Sequence, residues 1–418
     1  MNITLSPGAL TGTTAAPPSK SVSHRAVICA SLAGGVSQIH NIDLSDDILA
    51  TVNGLRALGA KITEFGDSLL VDGGEIFRRS HAEIDCGESG STLRFLVPLA
   101  AAGGVNSRFC GRGRLPERPL SVFANLLPKH GVACRTEGGL PLEIAGNLTP
   151  GRFFVPGNVS SQFISGLLMA LPLLDVGSEI FLTTHLESKP YVDLTAEVMS
   201  AYGIRLEEFK SGYKIRGGQA YNVRRFTVEG DWSNAAFFIA AGVLGGSISL
   251  TGLNSRSLQG DRAAFAVFRE FGGEISFQSG VLTAKGGELR ALDVNVSQIP
   301  DLVPVIAAAA AFAAGETVIR GAARLRDKES DRLACCAENL RRAGIEVSED
   351  ADCLRIVGGK PKGAVFSGFG DHRIVMAFAV LAAYAEGDSV IEGAEAVRKS
   401  FPGFFERIKE LGANAVEK

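Results

Sequence analysis

Apolar positions along this chain fall into two alternating helix patterns, separated by short β-rich runs. The first pattern is a helix rich in small residues and apolar nearly all round, ending in glycine. It recurs at 21–35, 91–104, 161–177, 233–246, 301–315 and 373–387. Its stop glycines, Gly34, Gly103, Gly177, Gly245, Gly315 and Gly387, lie 69, 74, 68, 70 and 72 positions apart. The second pattern is an amphipathic helix with a turn glycine, followed by a strand; Leu55-Arg56-Ala57-Leu58-Gly59-Ala60 is the cleanest copy. The others end at Gly131, Gly203, Gly272, Gly344 and Gly412. A helix apolar on every side must be buried, whereas one with a polar face such as Glu338-Asn339-Leu340-Arg341-Arg342 lies at the surface.

Six copies of a unit of about 70 residues therefore fill the chain. Strands such as Leu69-Leu70-Val71 and Ile180-Phe181-Leu182 would cover the buried helices. Six such units exceed one core, so two domains of three units each are expected. The second half opens at Asp231-Trp232-Ser233. Residues 2–6 read as a strand with no helix before it, placed to pair with the last unit. The chain would then cross between domains twice, near 15–19 and near 227–231. The expected domains are 1–18 with 230–418, and 19–229. No Pro/Ser tract marks a flexible tether.

Composition narrows the class. With 46% hydrophobic residues the chain can build sizeable cores, and its 42 basic and 45 acidic residues leave a net charge of −3. Bulk charge gives no sign of a nucleic-acid or membrane-surface protein, so any cationic site must be local. Seven cysteines without CxxC or Cys/His metal spacing suggest a reduced protein. No leader pattern opens the chain, and the most apolar run, 302–314, is too short to span a bilayer. A cytoplasmic location is the expectation.

Local cationic sites are present at the starts of the buried helices. Pro17-Pro18 holds the chain extended, and a helix is predicted over 22–32. Lys20 and Ser21 would sit at its N-terminus, with Arg25 one turn in. Free N–H groups, a hydroxyl and two cations suit a phosphate or carboxylate, though capping with solvated charges is the plainer reading. The other entries are also polar: Gly87-Glu88-Ser89-Gly90-Ser91-Thr92, Asn158-Val159-Ser160-Ser161-Gln162, Asp231-Trp232-Ser233-Asn234, Ile299-Pro300-Asp301 and Gly370-Asp371-His372-Arg373. Asp231–Asn234 is the best candidate for capping alone. Further cations near these starts are Arg94, Arg114, Arg118, Lys328, Arg332, Arg373 and Lys399. The charge run 324–332 also reads as a solvated face; within it Lys328 and Arg332 are i and i+4, on one helix face. Residues 112–119 read as a loop presenting arginine forks for bidentate anion contacts.

These motifs resemble the family of 5-enolpyruvylshikimate-3-phosphate synthases, end to end. The resemblance rests on Pro-Ser-Lys-Ser-Val-Ser-x-Arg at 18–25, Gly-x-Ser-Gly-Ser-Thr-x-Arg at 87–94, Glu-Arg-Pro at 117–119 and Ser-Ser-Gln at 160–162. Ser-Lys-Pro-Tyr at 188–191, Pro-Asp at 300–301, Lys-Glu-Ser-Asp-Arg-Leu at 328–333, Asp-His-Arg at 371–373 and Lys-Ser-Phe-Pro at 399–402 complete it. It implies a two-domain inside-out α/β barrel with the active site in the cleft between domains, closing around two anionic substrates. It implies enolpyruvyl transfer from phosphoenolpyruvate to the 5-hydroxyl of shikimate 3-phosphate, with no metal or organic cofactor, in a monomer. By the matching positions, shikimate 3-phosphate would be held by Lys20, Ser21, Arg25, Ser160, Ser161, Gln162, Ser188, Asp301 and Lys328. Phosphoenolpyruvate would be held by Lys20, Gly90, Arg118, Gln162, Arg332, Arg373 and Lys399. Asp301 would be the base, with Glu329 and Lys20 as proton carriers, although an Asp at Pro-Asp is also a common N-cap.

Three positions depart from the family pattern: Glu88 where Asn is common, Pro116 where a basic residue is frequent, and Arg324 where Asn is frequent. A carboxylate at Glu88 must face away from a bound phosphate or pair with a cation, and Arg324 would add a contact to the shikimate phosphate. Gly90 projects no side chain into the phosphoenolpyruvate site, so glyphosate should inhibit. The nearest rival is the transferase of the same fold that acts on UDP-N-acetylglucosamine, which carries a reactive cysteine in the loop matching 111–119. That loop has none, Cys110 lying just before it. A binding scaffold without catalysis would have lost the basic residues at the helix starts, and all are present.

Overall fold

The computed structural model describes residues 1–417. The chain divides into two compact units. One is continuous, Pro18–Val228; the other joins Met1–Pro17 to Glu229–Lys418. The fold is the mixed, inside-out α/β class, and each unit has its own hydrophobic core.

The buried helices are α1 Lys20–Leu32, α3 Gly90–Ala102, α5 Ser161–Ala170, α7 Trp232–Val243, α9 Val303–Ala310 and α11 His372–Tyr384. The amphipathic series is α2 Asp46–Ala57, α4 Ser121–Leu126, α6 Lys189–Ala201, α8 Ala264–Glu270, α10 Arg332–Arg342 and α12 Phe404–Glu410. Small residues permit the inner packing. A Cβ on Gly166 of α5 would lie 2.2 Å from the Arg94 carbonyl oxygen of α3, so the two backbones nearly touch. Every residue of α9, with its alanine run, is buried.

Six four-stranded sheets accompany these helices, all with one topology. In the continuous unit, His81–Asp85 runs parallel to Asn106–Cys110, which pairs antiparallel with Leu142–Gly146, and that with Val132–Arg135. Helix α3 is the crossover of the parallel pair. Two sheets borrow strands from far along the chain. Arg225–Thr227, at the end of the continuous unit, runs parallel to Val36–His40 of its first repeat. Asn2–Ser6 inserts between Ser389–Glu392 and Asn414–Glu417 of the last repeat, and Thr11–Ala15 runs parallel to Ser247–Thr251 of the fourth. Each unit thus closes its ring of three repeats with a strand from its other chain end.

Helix boundaries differ from the sequence expectation at three places. Helix α1 starts at Lys20 rather than Val22, because the Ser19 hydroxyl accepts the Val22 N–H and so satisfies the first turn. Helix α5 gives way to a 3-10 turn, Leu171–Leu173, where Pro172 removes a donor. Helix α9 is shorter than 301–315, being preceded by a 3-10 turn, Pro300–Leu302.

Candidate active site

In the continuous unit the starts of α1, α3 and α5 carry the polar residues. Lys20, in the first turn of α1, pairs with Asp47 of α2 at 2.8 Å. Arg25 is 3% exposed and stacks over the Phe95 ring at 5.1 Å. Its Nε donates to Thr195 Oγ1 at 2.7 Å, and its terminal nitrogens donate to the carbonyls of Ser21 and Tyr191 at 2.8 and 3.0 Å. Burial lowers its pKa to about 10. Arg25 therefore ties α1 to α6, and two of its five N–H donors are not used in these bonds.

Gly90, Arg94, Arg118 and Gln162 meet at one point. Arg94 donates to Gln162 Oε1 at 3.0 Å, and Gln162 donates to Ser91 Oγ at 2.9 Å. A Cβ on Gly90 would lie 2.6 Å from an Arg94 terminal nitrogen and 2.7 Å from one of Arg118. Ser160 caps α5 by accepting the Gln162 N–H at 3.3 Å, and Ser161 is buried in its first turn. Ser188, ahead of α6, is buried in the left-handed region at φ 54°, ψ 39°, a costly backbone for serine that tends to mark functional positions.

In the discontinuous unit Arg332 is the hub. Only 1% exposed, its Nε donates to Asp371 at 2.8 Å, one terminal nitrogen to Asp301 at 2.9 Å and the other to Glu329 at 2.8 Å. Arg373 donates to the other Asp301 oxygen at 3.2 Å. Burial pushes the Asp301 carboxyl up, but Arg373, Lys328 and Arg332 outweigh it and hold it far below the usual range. Burial also lowers the Lys328 ammonium to about 8, with Arg332 and Arg324 adding to the shift against Asp301 and Glu329. Lys399 donates to the Gly370 carbonyl at 2.6 Å, at the start of α11.

Several sequence expectations change here. Lys328 and Arg332 do not share a helix face, because α10 begins at Arg332 and Lys328 lies in extended chain before it. The run 324–332 is not a solvated face; Arg326 bonds Asp331 and Glu349, and Arg332 is buried. Asp301 is no helix cap. The residue before its turn is Ile299, and the Asp301 carboxylate faces two arginines instead. Asp231 does cap α7, accepting the Asn234 N–H at 2.8 Å. The 112–119 segment holds a 3-10 turn, Leu115–Glu117, because Pro116 suits its first positions. Arg324 donates to the Ser297 carbonyl at 2.8 Å. A Cβ on Gly113 would lie 2.3 Å from a Glu88 carboxylate oxygen, so Glu88 faces the loop that carries Arg118, and the φ of +60° also favours glycine there.

Sequence reasoning missed Asp47, the partner of Lys20. Its one signal, acids in the first turn of α2, reads equally as a response to the helix dipole. It also missed a buried chain joining α1, α2 and α3: His24 Nδ1 to Thr51 Oγ1 at 2.8 Å, Thr51 to Thr92 at 2.6 Å, and Thr92 to Ser89 at 2.8 Å. Burial, then the charges of Lys20 and Arg25, push the His24 pKa well below 6.5.

Comparison with known proteins gives the family. The family described as EPSP synthase (3-phosphoshikimate 1-carboxyvinyltransferase) matches residues 5–408. The 3-phosphoshikimate 1-carboxyvinyltransferase of Clostridium kluyveri is 44% identical over 99% of this chain and 98% of its own. That of Clostridium novyi is 41% identical over 98% and 97%. The EPSP synthase structure from Acinetobacter baumannii has a TM-score of 0.83 at 26% identity, each chain fully covered. The enolpyruvyl transferase NikO from Streptomyces tendae, at 19% identity and a TM-score of 0.79 over 99% and 98% of the two chains, shares the fold. With its sixfold repeat and its buried cations at helix starts, this chain belongs to the EPSP synthase family.

Proposed function

We propose that this protein transfers the enolpyruvyl group of phosphoenolpyruvate to the 5-hydroxyl of shikimate 3-phosphate, releasing phosphate, in the shikimate pathway to chorismate and the aromatic amino acids. The observation that carries this reading is the use of Asp301. At a position where its repeat counterparts Asp231 and Asp371 cap helices, its carboxylate instead faces Arg332 and Arg373. A carboxylate not spent on capping can serve as the alcohol-activating base once substrate anions draw off the arginines that hold its basicity down.

In the reaction, the 5-hydroxyl oxygen bonds to C2 of phosphoenolpyruvate, its proton leaves to a base, and a proton reaches the methylene carbon. The tetrahedral intermediate then loses phosphate and the proton gained at that carbon. Asp301 is the base, and Glu329 and Lys20 carry protons. Lys20, Ser21, Arg25, Ser160, Ser161, Gln162, Ser188, Asp301 and Lys328 hold shikimate 3-phosphate. Lys20, Gly90, Arg118, Gln162, Arg332, Arg373 and Lys399 hold phosphoenolpyruvate. The concentrated positive charge supports the anionic intermediate. Arg332 and Arg373 start out engaged with Asp301, so an arriving phosphate or carboxylate competes with Asp301 for them. As it wins, Asp301 recovers basicity.

In this reading the protein works as a cytoplasmic monomer without a metal or organic cofactor. Glyphosate, a small phosphonate-carboxylate, competes for the Gly90–Arg118 region. Phosphate release measured with both substrates tests the reaction: it should require both, and Asp301→Ala should abolish it while shikimate 3-phosphate still binds. Turnover by Asp301→Ala near the parent rate would overturn the assignment. A glyphosate inhibition constant in the millimolar range would remove the inhibitor from the picture.

A further inference from the structure

One buried position recurs in every repeat. Eight residues before the turn glycines Gly59, Gly131, Gly203, Gly272, Gly344 and Gly412 stand Thr51, Phe123, Thr195, Ala264, Cys336 and Phe404. All six are fully enclosed. Four carry a ring, a methyl or a thiol, as a core position favours. The two threonines break that pattern, and a buried hydroxyl needs a partner. Both find theirs on α1. Thr51 Oγ1, on α2, lies 2.8 Å from His24 Nδ1 of α1 and 2.6 Å from Thr92 Oγ1 of α3. Thr92 donates in turn to the Ser89 hydroxyl that caps α3, at 2.8 Å. Thr195, on α6, accepts the Arg25 Nε–H of α1 at 2.7 Å and bonds Ser165 Oγ of α5 at 2.8 Å. His24 and Arg25 are consecutive, so neighbouring residues tie α1 to helices on two flanks. One tie runs to α3, which starts at Gly90. The other runs to α5 and α6, which start behind Ser160 and Ser188.

We infer that Thr51 and Thr195 are positioning residues that divide the two substrates between them: Thr51 sets α1 against α3 for phosphoenolpyruvate, and Thr195 sets Arg25 against α5 and α6 for shikimate 3-phosphate. This rests on the substrate assignment proposed above. Under it, Lys20 and Gly90 hold phosphoenolpyruvate from the starts of α1 and α3. Arg25, Ser160, Ser161 and Ser188 hold shikimate 3-phosphate from α1 and from the starts of α5 and α6. Thr195 acts on Arg25 directly. With Nε on Thr195 and a terminal N–H on each of the Ser21 and Tyr191 carbonyls, the guanidinium plane is fixed, and its two remaining N–H groups keep one direction. Thr51 acts at one remove. It holds His24 and Thr92 together, and through them the spacing of the two helix starts.

The test is steady-state kinetics, each substrate varied at saturating levels of the other, in the parent and in valine and serine variants of both threonines. Valine keeps the shape and removes the hydroxyl, whereas serine keeps the hydroxyl. Thr51→Val should raise KM for phosphoenolpyruvate about tenfold, the worth of one buried hydrogen bond, and leave KM for shikimate 3-phosphate within about twofold. Thr195→Val should do the reverse. In both, kcat should change less than the affected KM. Thr51→Ser and Thr195→Ser should restore parent values to within about twofold. Where a valine variant does not fold, Thr92→Val cuts the first tie at its α3 end and Ser165→Ala the second at its α5 end, and each should show the same selective rise. A merely structural role would lower the melting temperature without separating the two KM values. Both KM values rising together, or neither moving, would therefore overturn the inference while turnover that needs both substrates leaves the functional reading intact. A parent protein that releases no phosphate from the substrate pair would instead sink the functional reading.

Discussion

Replacing Gly90 with alanine tests the phosphoenolpyruvate assignment with one methyl group. The new Cβ would stand 2.6 Å from an Arg94 nitrogen and 2.7 Å from an Arg118 nitrogen, short of ordinary contact at 3.4 Å by about 0.8 and 0.7 Å. Gln162 Oε1, at 3.5 Å, is not pressed. Both contacts are with the far ends of flexible side chains, so the guanidiniums retreat and the helix stays. Gly90 is the first residue of α3 and its φ is not positive, so alanine is tolerated there and adds helix propensity.

The cost falls on the ligand. At an effective dielectric near 20, a unit charge pair at about 4 Å is worth about 4 kcal/mol, and about 0.8 Å more separation removes about 0.7 kcal/mol. Arg118 as the ligand and Arg94 as the charge beside it together give about 1.4 kcal/mol, or about tenfold in affinity. Steady-state kinetics should show KM for phosphoenolpyruvate raised about tenfold, KM for shikimate 3-phosphate little changed, and a melting temperature equal to or above the parent's. Glyphosate inhibition should weaken by at least as much, because the methyl also occupies space. An unchanged KM for phosphoenolpyruvate would show that neither the Arg118 ligand nor the Arg94 charge beside it acts on the substrate from this position. A large loss of thermal stability would show that the helix, not the side chains, absorbs the clash.

Other outcomes follow from single groups. Arg332→Met leaves Asp301, Glu329 and Asp371 without their shared cation, and should destabilise the fold by about 3–5 kcal/mol. Thermal denaturation should show a fall of on the order of 10 °C, and a shift within about one degree would contradict it. Lys328, held at about 8, loses its charge as pH rises through that value, so kcat/KM should show an alkaline limb there. Lys328→Arg should push the limb upward, since arginine stays charged. The folded His24 binds its proton well below 6.5, so the unfolded chain carries more protons below that pH and stability should fall on acidification. Asp261 acts in the opposite sense, its raised carboxyl adding stability below the unfolded carboxylate value that is lost as pH climbs through about 6. His24→Asn should therefore lose less melting temperature than the parent between about pH 7 and about pH 5. Equal losses would mean that His24 protonates freely in the folded state.

The repeat was readable because each copy spends a glycine at the same two stops, and because helices built from alanine, glycine and serine have no polar face. The borrowed strand Thr11–Ala15 escaped notice because TGTTA carries no apolar alternation; only one of its five residues is buried. The site divided in the same way. Motif residues such as Lys20 and Arg332 stand out as charges in apolar surroundings. Asp47, Thr51, Thr92 and Asp261 do not, because an acid or threonine near a helix start fits ordinary capping, and only three-dimensional packing shows whom it meets. Asp301 illustrates the converse: local sequence makes it a cap, and two distant arginines overrule that.

One repeat position gathers these differences. Ser19, Ser89 and Ser160 cap α1, α3 and α5, each accepting a backbone N–H with a neutral hydroxyl. In the other unit the equivalent positions are Asp231, Asp301 and Asp371. Serine caps leave the positive helix ends uncancelled, so the continuous unit can accept an anion without first displacing a carboxylate from those ends. Asp301 and Asp371 bring negative charge that Arg332 and Arg373 already balance, so an anion approaching those arginines must exchange partners with a carboxylate already in place. On the assignment proposed above, that exchange costs affinity and leaves the Asp301 carboxylate as the base for the substrate hydroxyl. A serine at position 301 would bind substrate anions at least as well, yet provide no base. Asp301→Ser should therefore keep or lower the dissociation constant for phosphoenolpyruvate, read by calorimetric titration, while removing turnover, and a variant that loses affinity along with turnover would show that the arginines need Asp301 to hold them in place.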